Sequence, residues 1–465
     1  MKFTNESGNT VYLSDIDAYV TYEKGKVQEI SLDDAKRSKI FRSMVIGEVF
    51  TISEHGDTMF ERNLLRRLDV RQNTPTEANE EVLIPGPAEE LEVCMRGQFL
   101  GAGGYDKANR NLAIGLAMAG VDVALDIKGS KSCLDEIEAR KVMSLMPPVT
   151  SDAICIDCGS PTFARKKRQY RYHIMFTTVE SLTLPDQVSE SLSIYDELWV
   201  TSHFCKDVLE KYTDKPIFVV PNPIRTGLYQ KGRFEPYDFR PKLKDFVFLS
   251  VMTWNYRKGT DVLLKSYLQE FSGDDDVSLL LVSRPQTSAH KKTYDIIEND
   301  IKEAVQKYAP YNPPHIMRYS GTIPEYKMPC LYEACDAFVL LSRGEGFGLP
   351  YCEASLCGKP VIATNHSGQT MFLNKDNSAL IDIDGIAEMP QGSTHVHFWD
   401  GQQFADLTTE DFNARSRKTL RDVYENYPSY VEKNQKLMDE IKEKFSMSIV
   451  AEDVKTRLEE IWRQL

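Results

Sequence analysis

No stretch of this sequence holds the roughly 20 consecutive apolar residues that a membrane-crossing helix needs. The opening residues, MKFTNESGNT, lack a basic start, an apolar run and a small-residue cleavage site, so no secretory leader is expected. There is no excess of positive charge. The formal net charge is −13, which disfavours a protein that coats DNA or an anionic membrane over most of its surface. Nor is there a cysteine framework. The nine cysteines are scattered and odd in number, which argues against a disulfide scaffold and for a reducing compartment. The expected localisation is therefore cytoplasmic. Internal repeats and low-complexity tracts are absent as well.

What is present is an ordinary globular composition, 42% hydrophobic and 27% charged, on 465 residues, too many for one core. Residues 1–90 read as an N-terminal accessory module, β-rich or α+β. TVYLSDIDAYVTYE and GEVFTISEH are strand-like, and Ser31 is placed to cap a short helix between them. The polar, proline-bearing stretch RQNTPTEANEEVLIPGPAEE closes that module as a linker.

Residues 91–230 begin with a strand (LEVCMRGQFL), a glycine loop, a helix and a second strand (VDVALDI), which is a βαβ unit. Further strands are expected at AICID, YHIMFTT, DELWVTS and IFVVPN. Residues 231–465 repeat the alternation, with strands at DFVFLSVM, VSLLLVS, HIMRYSG, DAFVLLS, KPVIATN and SALIDI. Alternating strands and helices imply parallel sheets covered by helices. The predicted fold class is α/β: two facing doubly wound, Rossmann-like domains, with the last helices packing back on the first of them.

Two motifs carry chemistry. In FVLLSRGEGFGLPYCEASLCGKP a strand runs into a turn bearing Gly344, Gly346 and Gly348, and Pro350 suits the first turn of the helix that follows. Glu345 lies in the turn and Glu353 lies within the helix, so two carboxylates can serve one mouth. Glycines let the backbone approach a ligand closely, carboxylates accept paired hydroxyl donors well, and free N–H groups at a helix start attract phosphate. In VMTWNYRKGTDVLL, Arg257 and Lys258 stand at another strand–helix junction, where a cation clamps a diphosphate. A tight turn with solvated acids and an exposed basic turn are the bland alternatives; the two motifs together favour the functional reading.

These residues resemble the retaining glycosyltransferases of the GT-B fold, in the family-four style. The likeness rests on Glu345-x7-Glu353 within EGFGLPYCE, on the RKG turn, on YSGTIPEYKMPCLYEACDAFVLLS and on DELWVTSHFCKDVLEKY with VVPNPI. It spans about residues 91–465. The resemblance implies that Glu353 holds ribose hydroxyls. Glu345, with the N–H groups of Gly346, Phe347, Gly348 and Leu349, would hold the donor sugar. Lys258 with Arg257 would neutralise the leaving diphosphate. Ser283 and Arg284 would line the nucleotide pocket, Thr322 and Ile323 would lie against the base, and Gly101, Gly103 and Gly104 would form an acceptor and diphosphate loop. It implies a hexosyltransferase acting on a nucleoside diphosphate sugar, UDP-glucose by default, and a hydroxyl acceptor. No cofactor or metal is expected beyond the nucleotide sugar as co-substrate. Many members carry an arginine a few residues before the lysine. This chain has Met252-Thr253-Trp254 there, with Arg257 as the candidate substitute. Many also place a histidine after an N-domain strand. Here Thr177, Thr178 and Glu180 stand at that strand end, and His173 is expected to be packed.

Weaker signals remain. Cys155 and Cys158 have redox spacing without a second pair, and His395 and His397 lack further ligands. RKKRQYRY, from Arg165 to Tyr172, is either a solvated loop or a grip on an acidic acceptor. Residues 1–90 are open to self-association or a partner. The rival readings are a non-catalytic binding or assembly protein on a relic transferase fold, a nucleotide-sugar epimerase or phosphorylase, and a DNA-modifying glycosyltransferase.

Overall fold

The computed structural model describes residues 91–128, 142, 145, 153–161, 170–285, 292–321, 323–393 and 399–465, together with five short strands before residue 91. Those strands are β1 (Lys2–Asn5), β2 (Val11–Leu13), β3 (Ala18–Val20), β4 (Val27–Glu29) and β5 (Phe50–Glu54). They form an antiparallel sheet in the order β4-β1-β5 and a separate β2-β3 pair. The helix expected after Ser31 and the linker at 71–90 lie outside the described residues.

The remainder alternates strand and helix. In chain order it runs β6 (Glu92–Gly97), α1 (Gly104–Met118), β7 (Asp122–Ile127), β8 (Ile154–Cys158), β9 (Tyr172–Thr177), α2 (Gln187–Ser193), β10 (Glu197–Val200), α3 (His203–Leu209) and β11 (Ile217–Val219). A second series follows: β12 (Phe246–Trp254), α4 (Thr260–Glu270), β13 (Val277–Pro285), α5 (Lys292–Tyr308), β14 (His315–Tyr319), α6 (Met328–Glu333), β15 (Ala337–Leu340), α7 (Leu349–Leu356), β16 (Val361–Thr364) and β17 (Ala379–Ile381). The hairpin β18 (Gly385–Glu388) and β19 (Gln403–Asp406) and the helices α8 (Glu410–Glu425), α9 (Tyr427–Lys444) and α10 (Met447–Gln464) end the chain.

The strands form two six-stranded sheets, ordered β11-β10-β9-β8-β6-β7 and β14-β13-β12-β15-β16-β17. The paired strands described in each are parallel. Both orders are doubly wound, so the expected pair of Rossmann-like sheets is met. Parallel strands are covered on both faces and so read as unbroken apolar runs. The central stretches Ile154–Cys158, Leu279–Leu281 and Ala337–Leu340 are buried throughout.

By its contacts the chain divides into two compact units. The first comprises Met1–Gly159, Lys166–Ile174 and Ala451–Leu465, and the second comprises Ser160–Arg165 and Met175–Val450. Within the first unit, the Lys455 ammonium donates to the Ala119 carbonyl at 2.8 Å. Arg96 and Asp157 form a buried ion pair on adjacent strands β6 and β8.

In the second unit, β12 leads outward to β13 and β14, whereas β15 returns beside β12 and leads the other way to β16 and β17. The pair β12–β15 is thus a topological switch point, where the connections leave in opposite directions from adjacent strand ends and ligands of such sheets bind. The turn after β12 needs Gly259, which sits in the left-handed region at φ 65°. A Cβ there would fall on the Leu341 carbonyl oxygen. Gly259→Ala should therefore cost about 2 kcal/mol or more, read as a lowered denaturant midpoint in chemical unfolding. An unchanged midpoint would contradict this account of the turn.

Candidate active site

Both chemical motifs occupy the loops of that switch point. After β12, the Asn255 side chain accepts from the Lys258 N–H at 3.0 Å and caps a short 3₁₀ turn, Tyr256–Lys258. After β15, residues 341–348 lead into α7, which carries Pro350 in its first turn. The loops are laced together. The Arg343 N–H donates to the Arg257 carbonyl at 2.7 Å, and the Arg257 guanidinium donates to the Gly344 carbonyl at 2.5 Å. Arg343 is buried, pairs with Asp261 through two contacts of 2.8 Å, and lies 3.6 Å over the Tyr256 ring.

This lacing sets four charges side by side. Lys258 Nζ donates to both oxygens of Glu345, at 2.6 and 2.8 Å. Arg257 lies 3.5 Å from Glu345 and 3.5 Å from Glu180, and its guanidinium is 4.6 Å from the centre of the Trp399 ring. All four charged side chains are largely buried. Burial pushes the Glu345 carboxyl up, but Lys258 and Arg257 outweigh it and hold it below the ordinary carboxylate range. Burial lowers the Lys258 ammonium, with Glu345 opposing. Burial dominates at Glu180, whose carboxyl is raised despite Arg257.

The segment after β9 packs directly on the acid loop. The Thr201 hydroxyl donates to the Thr178 hydroxyl oxygen at 2.7 Å and lies 3.0 Å from the Gly346 carbonyl. A Cβ at Gly346 would strike the Thr178 side chain, and one at Gly344 would strike the Glu180 carbonyl. The sequence reading gave these glycines to close approach by a ligand; the structure gives Gly344 and Gly346 to packing against residues 178–180. From the other side, Ser367 accepts the Glu345 N–H at 2.9 Å and donates to Gln369 Oε1 at 2.9 Å. Ser367 holds φ 65° and ψ −157°, a region nearly reserved for glycine.

The structure brings Arg257, Lys258 and Glu345 together and sets Glu353 apart from that contact. Glu353 is buried on α7 and accepts from the Tyr332 hydroxyl at 2.8 Å. Burial raises the Tyr332 phenol, so it remains a donor. The main-chain N–H groups of Gly346, Phe347, Gly348 and Leu349 donate to no acceptor among the described residues. The Phe347 ring itself is core, 5.0 Å from Phe372 and 5.8 Å from Phe445. Ser283 lies two residues before the end of β13, opposite Met252, buried, with no partner for its hydroxyl among the described residues. Ile323 is half-buried; Thr322 and the Arg284 side chain lie outside the described residues.

Gly101, Gly103 and Gly104 belong to the other unit. There the Asp106 carboxylate accepts the Gly101 N–H at 2.7 Å, and Arg110 donates to the carbonyls of Phe99 and Gly101 at 2.7 and 2.6 Å. Gly103 caps α1. His173 is fully buried on β9. Cys155 and Cys158 are buried free thiols on β8. Of the basic run, residues 165–169 lie outside the described residues, as do His395 and His397. Tyr170 is buried with its hydroxyl 3.2 Å from Cys94 Sγ, and Arg171 is exposed. In the position of Met252-Thr253-Trp254, the Trp254 indole N–H donates to Asp300 at 2.8 Å.

Sequence reasoning left Glu180 without a role and did not find Arg343, Ser367 or Tyr332. An acid shortly after an α/β strand was a signal for the first; nothing local marks the others. The Ser367 geometry is testable by two substitutions. Ser367→Ala keeps the backbone strain and loses the hydroxyl contacts, and should cost about 1–2 kcal/mol. Ser367→Gly loses the same contacts but relieves strain of about 1–3 kcal/mol. Chemical unfolding should rank Gly above Ala in stability; the reverse order would refute the strain.

Residues 244–391, which contain both loops, match the family described as Glycosyl transferases group 1. Mannosylfructose-phosphate synthase of Agrobacterium fabrum is 27% identical over 169 residues, 36% of this chain and 34% of that protein. O-antigen chain mannosyltransferase B of Escherichia coli is 49% identical over 49 residues, 10% of this chain and 13% of that protein. The chain thus aligns with well under half the length of these curated relatives. Among solved structures, HepE of Anabaena in complex with UDP and glucose superposes with a TM-score of 0.58 at 13% identity, covering 80% of this chain and all of that one. Sucrose-phosphate synthase of Thermosynechococcus elongatus gives 0.55 at 15% identity, covering 81% and 100%. At such identities these two show the fold alone, which is of GT-B type. The match to the glycosyl transferases group 1 family thus falls on the part of the chain, residues 244–391, that carries both loops of the site.

Proposed function

We propose that this protein is a retaining glycosyltransferase that moves a sugar from a nucleoside diphosphate sugar to a hydroxyl acceptor. The observation that carries the reading is the direct contact of Lys258 with Glu345 across the β12–β15 switch point, with Arg257 beside it. A doubly wound sheet binds ligands in the crevice at such a point. The β12–β15 point offers a carboxylate for sugar hydroxyls, two cations for a diphosphate, and, ahead of α7, N–H groups at residues 346–349 that donate to no acceptor among the described residues.

Cleavage of the sugar–phosphate bond leaves oxocarbenium character on the sugar and negative charge on the diphosphate. Lys258, Arg257 and the helix-start N–H groups stabilise that charge as it develops. Glu345 turns from the Lys258 ammonium to the sugar hydroxyls as the phosphates take the ammonium. Glu353, oriented by Tyr332, receives the ribose hydroxyls, and the Ser283 hydroxyl, without a partner among the described residues, faces the nucleotide. Retention follows if the acceptor attacks from the face of the leaving group, whose phosphate oxygen accepts the acceptor's proton. The UDP and glucose bound in the Anabaena structure support a nucleotide sugar as donor, with UDP-glucose the first to test.

Thermal-shift screening of the purified chain against nucleotide sugars should reveal one stabilising base. Glu353→Ala should remove that shift. Lys258→Ala should lower kcat for donor hydrolysis or transfer by about 10²–10³-fold. A chain that neither shifts with any nucleotide sugar nor hydrolyses one would favour the non-catalytic reading.

A further inference from the structure

We propose that Glu180 is the proton acceptor of this site: when a nucleotide sugar engages Arg257 and Lys258, the Glu180 carboxylate takes up one proton from solvent. This rests on the donor-site reading above and adds a group and a step to it. The geometry begins with how Arg257 is shared. One side of its guanidinium lies 3.5 Å from Glu180, the other 3.5 Å from Glu345, and Trp399 covers it at 4.6 Å. Lys258 commits its short contacts, 2.6 and 2.8 Å, to Glu345. Glu180 therefore has one cation, held in common, while Glu345 has two.

Glu180 cannot readily leave. Its carbonyl is packed so closely on Gly344 that no Cβ fits between them. Two residues on, the Leu182 N–H donates to the Gln403 carbonyl at 2.8 Å, and the Gln403 N–H donates to the Thr183 hydroxyl at 2.9 Å. Its side chain is 14% exposed, which leaves little water to solvate a charge. The charged groups acting on it come from both loops packed against it: Arg257 and Lys258 after β12, and Glu345 after β15. The two cations and two carboxylates sum to zero.

A sugar diphosphate brings two further negative charges. Once the cations turn to the phosphates, two largely buried carboxylates face a dianion with their counter-charge divided. A buried charge without a partner neutralises itself by changing protonation state. The proton goes where the carboxylate is least supported. That is Glu180, whose one ion-pair partner is shared with Glu345 and whose carboxyl burial already raises despite Arg257 and a hydrogen bond from Trp399. No other bond changes: one proton moves from solvent to a carboxylate oxygen. The product is a neutral carboxyl with an O–H donor.

The sign of the pH effect follows. Binding that consumes a proton weakens as pH rises through the window between the free and bound pKa values of Glu180, by up to about tenfold per pH unit. The test is isothermal titration calorimetry of the full chain with UDP-glucose, UDP-N-acetylglucosamine, ADP-glucose and GDP-mannose. Their diphosphates have no proton to lose near neutral pH. Titrations at about pH 7 in buffers of different ionisation enthalpy should give an observed enthalpy whose slope reports uptake of about one proton. E180Q should bind with that slope near zero, and E180D should retain it. Binding with no buffer dependence in the unaltered chain, or an undiminished slope in E180Q, would overturn the inference and leave the donor site standing. No binding by any of the four would overturn the donor-site reading and this inference with it.

Discussion

The pairing of β12 with β15 fixes most of what matters in this molecule. Because the connections from those strands run in opposite directions, the turn after β12 and the loop after β15 must emerge side by side. Nothing else in the chain need bring Lys258 within 2.6 Å of Glu345, since 87 residues separate them. The main-chain link from Arg343 to Arg257, the Arg343–Asp261 fork and the left-handed Gly259 beside Leu341 refine that adjacency. Each is a local consequence of a topological decision.

The same adjacency creates an electrostatic problem. Four ionised groups in a poorly solvated pocket are tolerated only while they neutralise one another. The free protein meets this condition internally, with Glu345 held below the ordinary carboxylate range by its cations and Glu180 raised by burial. An anionic ligand has to break that arrangement to bind. A site that is self-neutralised when free and short of positive charge when occupied can turn binding free energy into rearrangement of side chains. Ser367, strained and tied to the Glu345 N–H, shows that the protein accepts a backbone cost to hold this loop.

Much of the fold was legible because buried parallel strands are apolar along their whole length. DFVFLSVM, VSLLLVS and DAFVLLS each fell on a strand of the second sheet. The two motifs were legible because glycine, proline and acids mark strand–helix turns. The sequence could not show which strands were neighbours, and so the Lys258–Glu345 contact was reached only through resemblance. The glycines were found but given the wrong first cause: at Gly344 and Gly346 the crowding group is the chain itself, at Glu180 and Thr178. Glu180 stood in view at a strand end without a role, because its partner Arg257 is 77 positions away and no periodicity links them. Tyr332 and Arg343 act through contacts that are equally remote from any local pattern.

A structure of this chain with an intact or slowly hydrolysed nucleotide sugar would test the central claim most directly. The account predicts diphosphate oxygens within hydrogen-bond reach of Lys258 Nζ and the Arg257 guanidinium, with Glu345 turned onto the sugar hydroxyls. A nucleotide bound elsewhere, with the Lys258–Glu345 contact intact, would contradict it.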